Sequence, residues 1–217
     1  MRMMRRMALV STLAIAVLAA MPSPAQARTL SQGTCGPDVF ALQVRLYNRS
    51  YLPKNYHPGC YDYRTTQAVM AFQGWVGFTR DGVAGASTQA RLKISVTPKP
   101  WTGTRKFRHI EIHKTKQIMI LVGAEGKVQR TIHVSTAAPG HVTPTGHWKV
   151  YSKSLMSWSN LFHVWLPYAS YVVGGVAMHS YPDVPGYPAS HGCIRIGAPE
   201  APWVYAWAPI GTPVWIA

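Results

Sequence analysis

The spacing of apolar residues changes abruptly at a short proline-containing stretch, Thr97-Pro98-Lys99-Pro100. On its amino-terminal side, apolar residues recur every three or four positions, which is the spacing of amphipathic helices. On its carboxyl-terminal side, short runs rich in Ile, Val and Thr alternate with Gly and Pro, a pattern typical of β-strands. The sequence therefore predicts an α+β protein, with a small three-helix domain at residues 34–95, a proline-stiffened linker at 96–105 and a mainly β domain at 106–217.

Start and stop signals define the helices of the first part. Asp38 is placed to cap a first helix, and Asp62 and Gly77 bracket a second one. Asp81-Gly82 indicates a turn before a short third helix at residues 86–93. The apolar side chains on one face of the first two helices predict a small core: Val39, Leu42, Leu46, Ala68, Val69, Phe72, Trp75 and Val76.

In the second part, the clearest strand predictions are residues 109–113, 117–122 and 128–135, with a turn at 123–126. One helix is expected, at residues 198–207. The remaining predicted strands are short: 147–151, 171–173, 176–180 and 213–216.

The first 27 residues have the composition of a secretory signal peptide. Arg2, Arg5 and Arg6 precede an apolar run at residues 8–21, and Ala25-Gln26-Ala27 is a small-residue cleavage pattern. The run is shorter than the roughly 20 residues of a membrane-spanning helix, so an uncleaved anchor is the weaker alternative. We expect an exported protein of the cell wall or the periplasmic or extracellular space, peripheral to the membrane at most.

The charge of the chain restricts its partners. The formal net charge is +15, and loss of three leader arginines leaves 15 − 3 = +12. Such a surplus favours polyanionic surroundings. Because export argues against nucleic acid, an anionic cell wall fits both the charge and the compartment.

The chain has an odd number of cysteines, so at least one thiol is not in an intramolecular disulfide. The chain has three cysteines, Cys35, Cys60 and Cys193, and an exported protein meets an oxidising environment. Cys35 and Cys60 lie in one small segment, so we infer a disulfide between them, although sequence alone does not fix connectivity. Cys193 is then the free thiol that an odd count marks for attention.

The free thiol lies in the run Ser190-His191-Gly192-Cys193. Gly192 permits close approach of a substrate, and the N–H groups of Gly192 and Cys193 are expected to face a developing oxyanion. A thiol nucleophile needs a base. His179, at the end of the apolar strand 176–178, is the preferred base, because a strand end holds an imidazole rigidly. His191, two residues from the thiol, is the weaker candidate.

These residues resemble the signature of the L,D-transpeptidase catalytic domain over residues 106–217. His179 is followed, after a gap, by Ser190-His191-Gly192-Cys193-Ile194-Arg195, although Ser180 stands where many members have glycine. Thr143-Pro144-Thr145-Gly146 and Gly211-Thr212-Pro213-Val214 match as well. Residues 34–95 resemble the three-helix peptidoglycan-binding domain, most clearly in the tail from Asp81-Gly82-Val83 to Leu92.

The resemblance implies a cysteine-dependent acyltransferase that needs no cofactor or metal. Cys193 would attack the third residue of a peptidoglycan tetrapeptide stem, with His179 protonating the departing D-alanine. The amine of an acceptor stem would then resolve the thioester and cross-link two third-position residues. The backbone carbonyl of Ser180 would fix the tautomer of His179, as a carboxylate does in a serine triad. A carbapenem is expected to acylate Cys193 as a covalent inhibitor.

Four further residues are expected to contact or support the substrate. His191 would buttress the loop or touch substrate. Arg195 would grip a stem carboxylate through a two-pronged contact, or pin the site from below. Tyr168 and Tyr171 are assigned to the donor groove on position alone, with core packing as the alternative.

Three other functions stay open at this point. His179, His191 and Cys193 could form a zinc site, although structural zinc ligands usually have tighter spacing. Water could replace the acceptor amine, giving an L,D-carboxypeptidase with the same residues. The chain could also be a non-catalytic wall-binding protein with an inert thiol.

Overall fold

The computed structural model describes residues 27–54, 56–103 and 106–217. Three helices come first: α1 (Pro37–Asn48), α2 (Tyr63–Val76) and α3 (Ala86–Ile94). A fourth helix, α4 (Ala201–Trp207), precedes the last strand. Except for residue 27, the predicted signal peptide lies outside these residues. In the part of the chain that the structure describes, no helix combines the length and apolarity needed to cross a membrane.

The ends of the first two helices follow from single residues. Asp62 Oδ1 accepts the Thr65 N–H at 2.7 Å, and Gly77 ends α2 at φ 79°, as the sequence predicts; such an N-cap is worth about 1 kcal/mol. Helix α1, in contrast, has Gly36 as its N-cap and a proline in its first turn. The prediction that Asp38 caps α1 is therefore wrong, because this carboxylate pairs with Arg28 at 2.9 Å.

The β part contains nine strands within the described residues. Their bounds are β1 (His109–His113), β2 (Ile118–Val122), β3 (Val128–Ser135), β4 (Gly146–Lys149), β5 (Ser152–Ser159), β6 (Val164–Val173), β7 (Val176–Tyr181), β8 (Ile194–Gly197) and β9 (Pro213–Ile216). They form one sheet in the order β4-β9-β1-β2-β3-β8-β7-β6-β5. The pairs β1–β9 and β7–β8 are parallel, and the other neighbours are antiparallel.

The sheet curls around an interior core. Trp148 of β4 and Val172 of β6 come from opposite ends of the strand order, yet both pack against the cluster that holds Ile110 and Met178. Helix α4 adds Val204 to this cluster. A helical segment followed by a large curled sheet confirms the α+β class.

The helices pack on the outer face of the sheet. Ile118 and Ile120 of β2 belong to the apolar cluster of the helices, whereas the alternate residue Met119 faces the interior core. Gly74 of α2 allows the close approach, because a Cβ there would lie 2.3 Å from the Lys116 carbonyl oxygen. The helical part is therefore seated directly on the sheet.

The described part of the linker is also held against the sheet. Glu111 of β1 is fully buried and accepts the backbone N–H of Trp101 at 2.9 Å and of Thr102 at 3.3 Å. His109 and His113 flank the same carboxylate at 3.1 and 3.4 Å. Burial opposes ionisation of Glu111, but these hydrogen bonds outweigh it and lower the pKa to about 2. That residues 96–105 link two separate domains stays a prediction.

Candidate active site

The pairing of β7 with β8 brings the candidate nucleophile and base to one face. In this parallel pair Met178 lies opposite Ile194 and His179 opposite Arg195. Met178 and Ile194 point into the interior core. Because side chains alternate along a strand, His179, Arg195 and the preceding Cys193 share the other face. The Cα atoms of His179 and Cys193 lie diagonally across the two strands, roughly 8 Å apart.

The Cys193 thiol is free and partly buried. The Ala177 N–H donates to Sγ at 3.5 Å, and the thiol reaches the Gly175 carbonyl oxygen at 3.8 Å. Burial raises the pKa of the thiol above its ordinary value, and the Ala177 N–H and the Arg195 charge only partly oppose this rise. The resting group is therefore a neutral thiol at pH 7.

The His179 imidazole is buried and has a defined orientation. Nδ1 lies 2.8 Å from the Ser180 carbonyl oxygen, an acceptor that assigns the ring proton to Nδ1. Nε2 then carries the lone pair. Burial lowers the pKa of His179 to about 4, against the opposing effect of the Ser180 hydrogen bond. At neutral pH the ring is an uncharged proton acceptor.

Ser190 shapes the loop that carries the thiol. Its hydroxyl accepts the Gly192 N–H at 3.1 Å and donates to the Cys193 carbonyl at 2.5 Å. Gly192 has φ 139°, and a Cβ there would meet the Val142 carbonyl oxygen at 3.0 Å, so the position favours glycine. Because the Gly192 N–H is bonded to Ser190, it does not face a substrate here as the sequence suggested.

A second layer of hydrogen bonds supports this loop from below. Thr143 Oγ1 donates to the Gly192 carbonyl at 2.7 Å and accepts the Ala137 N–H at 3.1 Å. The Ala138 N–H donates to the Ser190 carbonyl at 2.8 Å. The threonine of the Thr143-Pro144-Thr145-Gly146 element thus ties the loop to the end of β3.

A cavity of about 400 Å³ opens over the thiol and the imidazole. Arg195 lies on its floor, with its guanidinium 4.0 Å from the centre of the Tyr181 ring. His191 lies on its rim and stacks on Phe162 at 4.5 Å between ring centres. The cavity walls are mainly apolar, and Cys193, His179 and Arg195 are among the polar groups that line it.

Comparison with known proteins identifies the architecture. Residues 107–216 match the family described as the L,D-transpeptidase catalytic domain. The chain belongs to the L,D-transpeptidase family. Residues 35–92 match the family described as a peptidoglycan-binding domain. Both resemblances drawn from the sequence are therefore confirmed.

Solved structures agree with this assignment. An L,D-transpeptidase from Xylanimonas cellulosilytica is 36% identical, with 90% of this chain and 100% of that chain covered and a TM-score of 0.80. An L,D-transpeptidase from Stackebrandtia nassauensis, 24% identical over 87% of this chain and 94% of that one, shares the fold with a TM-score of 0.53. No curated protein sequence matches the chain.

The L,D-transpeptidase fold gathers most, but not all, of the residues singled out from the sequence. Tyr171 lines the cavity, and its hydroxyl lies 2.8 Å from Ser157 Oγ. Tyr168 does not: it packs against the interior core and meets Tyr205 of α4. Its φ of 56° breaks the pleat of β6, so that Leu166 and Ala169 face the same side.

Sequence reasoning missed one wall of the cavity. The end of β5 contributes Ser159, and the turn between β5 and β6 contributes Asn160, Leu161 and Phe162. Leu161 is 78% exposed and Phe162 is 42% exposed, an unusual pair of apolar residues for a turn and the signal that could have marked it.

The alternative of a zinc site finds no geometric support in the described residues. His179, His191 and Cys193 all face the cavity. However, no group of three or more His, Cys, Asp or Glu side chains in these ranges is arranged to hold a metal ion. The predicted disulfide between Cys35 and Cys60 is present.

Proposed function

We propose that this L,D-transpeptidase cross-links the third-position residues of peptidoglycan stem peptides through a thioester on Cys193. The observation that carries the proposal is the shared face of β7 and β8. There a free thiol and a histidine of fixed tautomer line one cavity. A carboxylate is not needed to orient the imidazole, because the Ser180 carbonyl takes that position.

Acylation begins from a neutral pair. The thiol attacks the carbonyl carbon of the third stem residue while its proton moves to Nε2 of His179. The C–S bond forms, the C–N bond to the terminal D-alanine breaks, and the imidazolium returns its proton to the leaving amine. A thioester on Cys193 and free D-alanine result.

We assign one group to stabilise the oxyanion that develops during attack and a second group to bind a carboxylate of the stem. The Cys193 N–H is the proposed oxyanion donor, because Ser190 already engages the Gly192 N–H. Arg195 is proposed to hold a stem carboxylate at the cavity floor, where the Tyr181 ring keeps its guanidinium flat and preorganised. Gly192 keeps a role in shaping the loop.

Deacylation completes the cross-link. The side-chain amine of a second stem attacks the thioester carbonyl, His179 accepts the ammonium proton, and the thiol departs with that proton. Water in place of the amine would give a trimmed monomer, the product of an L,D-carboxypeptidase. A carbapenem follows the same first step, because attack of the Cys193 sulfur on its β-lactam carbonyl, with the thiol proton passing to His179, opens the ring and leaves an acyl group on Cys193.

The remaining parts of the chain are assigned to delivery and anchoring. We propose that residues 1–27 direct export and are removed, so that the enzyme acts in the cell wall. The peptidoglycan-binding domain at residues 35–92 is proposed to hold it there. The net charge of 15 − 3 = +12 that remains without the three leader arginines favours such an anionic polymer.

The test is incubation of the purified protein with purified disaccharide-tetrapeptide, followed by mass spectrometry of the products. We expect free D-alanine and a dimer, both lost in Cys193→Ala and His179→Ala. His57→Ala, a change at an exposed histidine of the helical part, is the matched control and should leave both products. Trimmed monomers without dimers would show that the protein is an L,D-carboxypeptidase and not a transpeptidase. The absence of both D-alanine and dimer would refute the assigned substrate.

A further inference from the structure

A second cleft lies where the helices meet the sheet. Its volume is about 470 Å³, within the usual range for ligand sites, and it shares no lining residue with the catalytic cavity. Both parts of the chain contribute to it. Six of its side chains carry the argument: Tyr47, Lys54 and Arg64 from the helical part, and Arg130, Glu200 and Trp203 from the catalytic part.

The charges of this junction cleft are organised around one carboxylate. Arg64 Nε lies 3.1 Å from Glu200 Oε1, and Arg130 Nη1 donates to Glu200 Oε2 at 2.8 Å. Arg64 also donates to the Pro199 carbonyl at 2.8 Å. With Lys54 at the mouth, the lining holds three cationic side chains against one acidic one. Glu200 therefore orients two guanidiniums without neutralising the cleft.

The Arg130 guanidinium is held rigidly and retains hydrogen-bonding capacity. It lies 4.7 Å from the centre of the Trp203 ring, a stacked arrangement that fixes its plane. A guanidinium has five N–H donors, and the bond to Glu200 uses one of them. Planar, preorganised guanidiniums suit carboxylate groups. Tyr47 of the helical part and Trp203 of the catalytic part supply aromatic surface, which suits the apolar face of a sugar ring.

We propose that the junction cleft binds a carboxylate-bearing glycopeptide of peptidoglycan, separate from the stem in the catalytic cavity. The inference rests on the proposed function, since it takes the same wall polymer as ligand. Arg130 lies five residues before Ser135 on β3, and Ser135 pairs with Arg195 of the cavity floor. Arg130 and Ser135, the residue that pairs with Arg195, are thus roughly 17 Å apart along one strand. A polymer held in the junction cleft is kept near the thiol while stems exchange.

The experiment is a nuclear magnetic resonance titration of the protein, labelled at the tryptophan indole nitrogens, with disaccharide-tetrapeptide. We expect a saturable shift of the Trp203 signal. Arg130→Lys keeps the charge but loses the planar fork, and Lys54→Gln removes a charge at the exposed mouth. Each should weaken this binding by about tenfold, the usual effect of one charge-assisted contact. Lys149→Gln, a charge change on an exposed residue of β4 that lines neither the catalytic cavity nor the junction cleft, is the matched control and should bind normally.

The outcomes separate this inference from the proposed function. A Trp203 shift without D-alanine release would leave the junction cleft standing and remove the catalytic assignment. Turnover without a Trp203 shift would overturn the binding proposal for the junction cleft alone. Turnover with the same affinity for disaccharide-tetrapeptide in all variants would do so as well. A response to inorganic phosphate but not to the glycopeptide would also overturn it, in favour of a phosphate polymer.

Discussion

The protonation state of Cys193 and His179 gives the sharpest test of the proposed chemistry. Burial raises the pKa of the thiol above its ordinary value and lowers the pKa of the imidazole to about 4. Between these values both groups are neutral. The site should therefore act by general-base transfer during attack, and not through a preformed thiolate–imidazolium pair.

The magnitude follows from the shift. An ordinary cysteine is about 3% thiolate at pH 7, and a thiol whose pKa is raised has still less. Alkylation of Cys193 by iodoacetamide, which consumes thiolate, should then rise with pH between 7 and 9, by up to about tenfold for each unit. Enzymatic release of D-alanine should instead stay nearly constant over this range, because its base, neutral His179, titrates only near pH 4.

Intact-mass spectrometry measures the alkylation directly, since Cys35 and Cys60 are joined in a disulfide. Cys193→Ala should take up no label. His179→Gln should label with nearly the same pH midpoint as the unmodified protein, because a neutral imidazole does little to ionise the thiol. Rapid labelling at pH 6, with a midpoint that moves upward in His179→Gln, would show an ion pair and refute the neutral site.

Three further predictions concern the scaffold. Burial lowers the pKa of His133 to about 4 from 6.5, so its contribution to stability is present above pH 6.5 and is lost as the pH falls towards 4. Between pH 6.5 and pH 4, the free energy of unfolding measured by urea titration should fall by about 3 kcal/mol less in His133→Gln than in the unmodified protein. An equal fall in both proteins would exclude His133 as its source. Arg80 Nε donates to the Gly186 carbonyl at 2.6 Å, close before the catalytic loop. Arg80→Gln should lower kcat about tenfold with little change in KM, and Arg80→Lys should lower kcat less. If both variants lowered only the stability and left kcat unchanged, that result would contradict a positioning role. Replacement of both Cys35 and Cys60 by serine opens a loop closed over 25 residues and should cost about 3 kcal/mol in thermal unfolding, while turnover per folded molecule stays unchanged; a lower turnover would show that the disulfide acts on the site.

Three of the strands that pack into the cores could be predicted from the sequence with their bounds, whereas the buried strand β8 was not predicted. Residues 109–113, 128–135 and 213–216 form strands as expected, because their β-branched and apolar residues pack into the cores. Strand β5 was not predicted. It lies at the edge of the sheet, and most of its side chains are exposed or half-buried, so it carries no regular apolar alternation.

The thiol, the imidazole and their loop could also be predicted, because they lie within fifteen residues of one another and carry a recognisable order. The far wall of the cavity could not. Phe162 meets His191 only because β6 pairs with β7, a long-range contact that no local pattern encodes. The position of Tyr168 could not be predicted either, because its positive φ turns the side chain from the cavity side to the core and no residue pattern indicates such an angle at a tyrosine.

The covalent state of Cys193 during turnover tests the proposed function most directly. The protein is mixed with disaccharide-tetrapeptide, quenched in acid within the turnover time and weighed intact. We predict a mass increase equal to the substrate less D-alanine, located on the peptide that contains Cys193 and removed by hydroxylamine, which cleaves thioesters. Cross-linked dimer formed without this adduct, or formed at an undiminished rate by Cys193→Ala, would contradict a thioester at this residue.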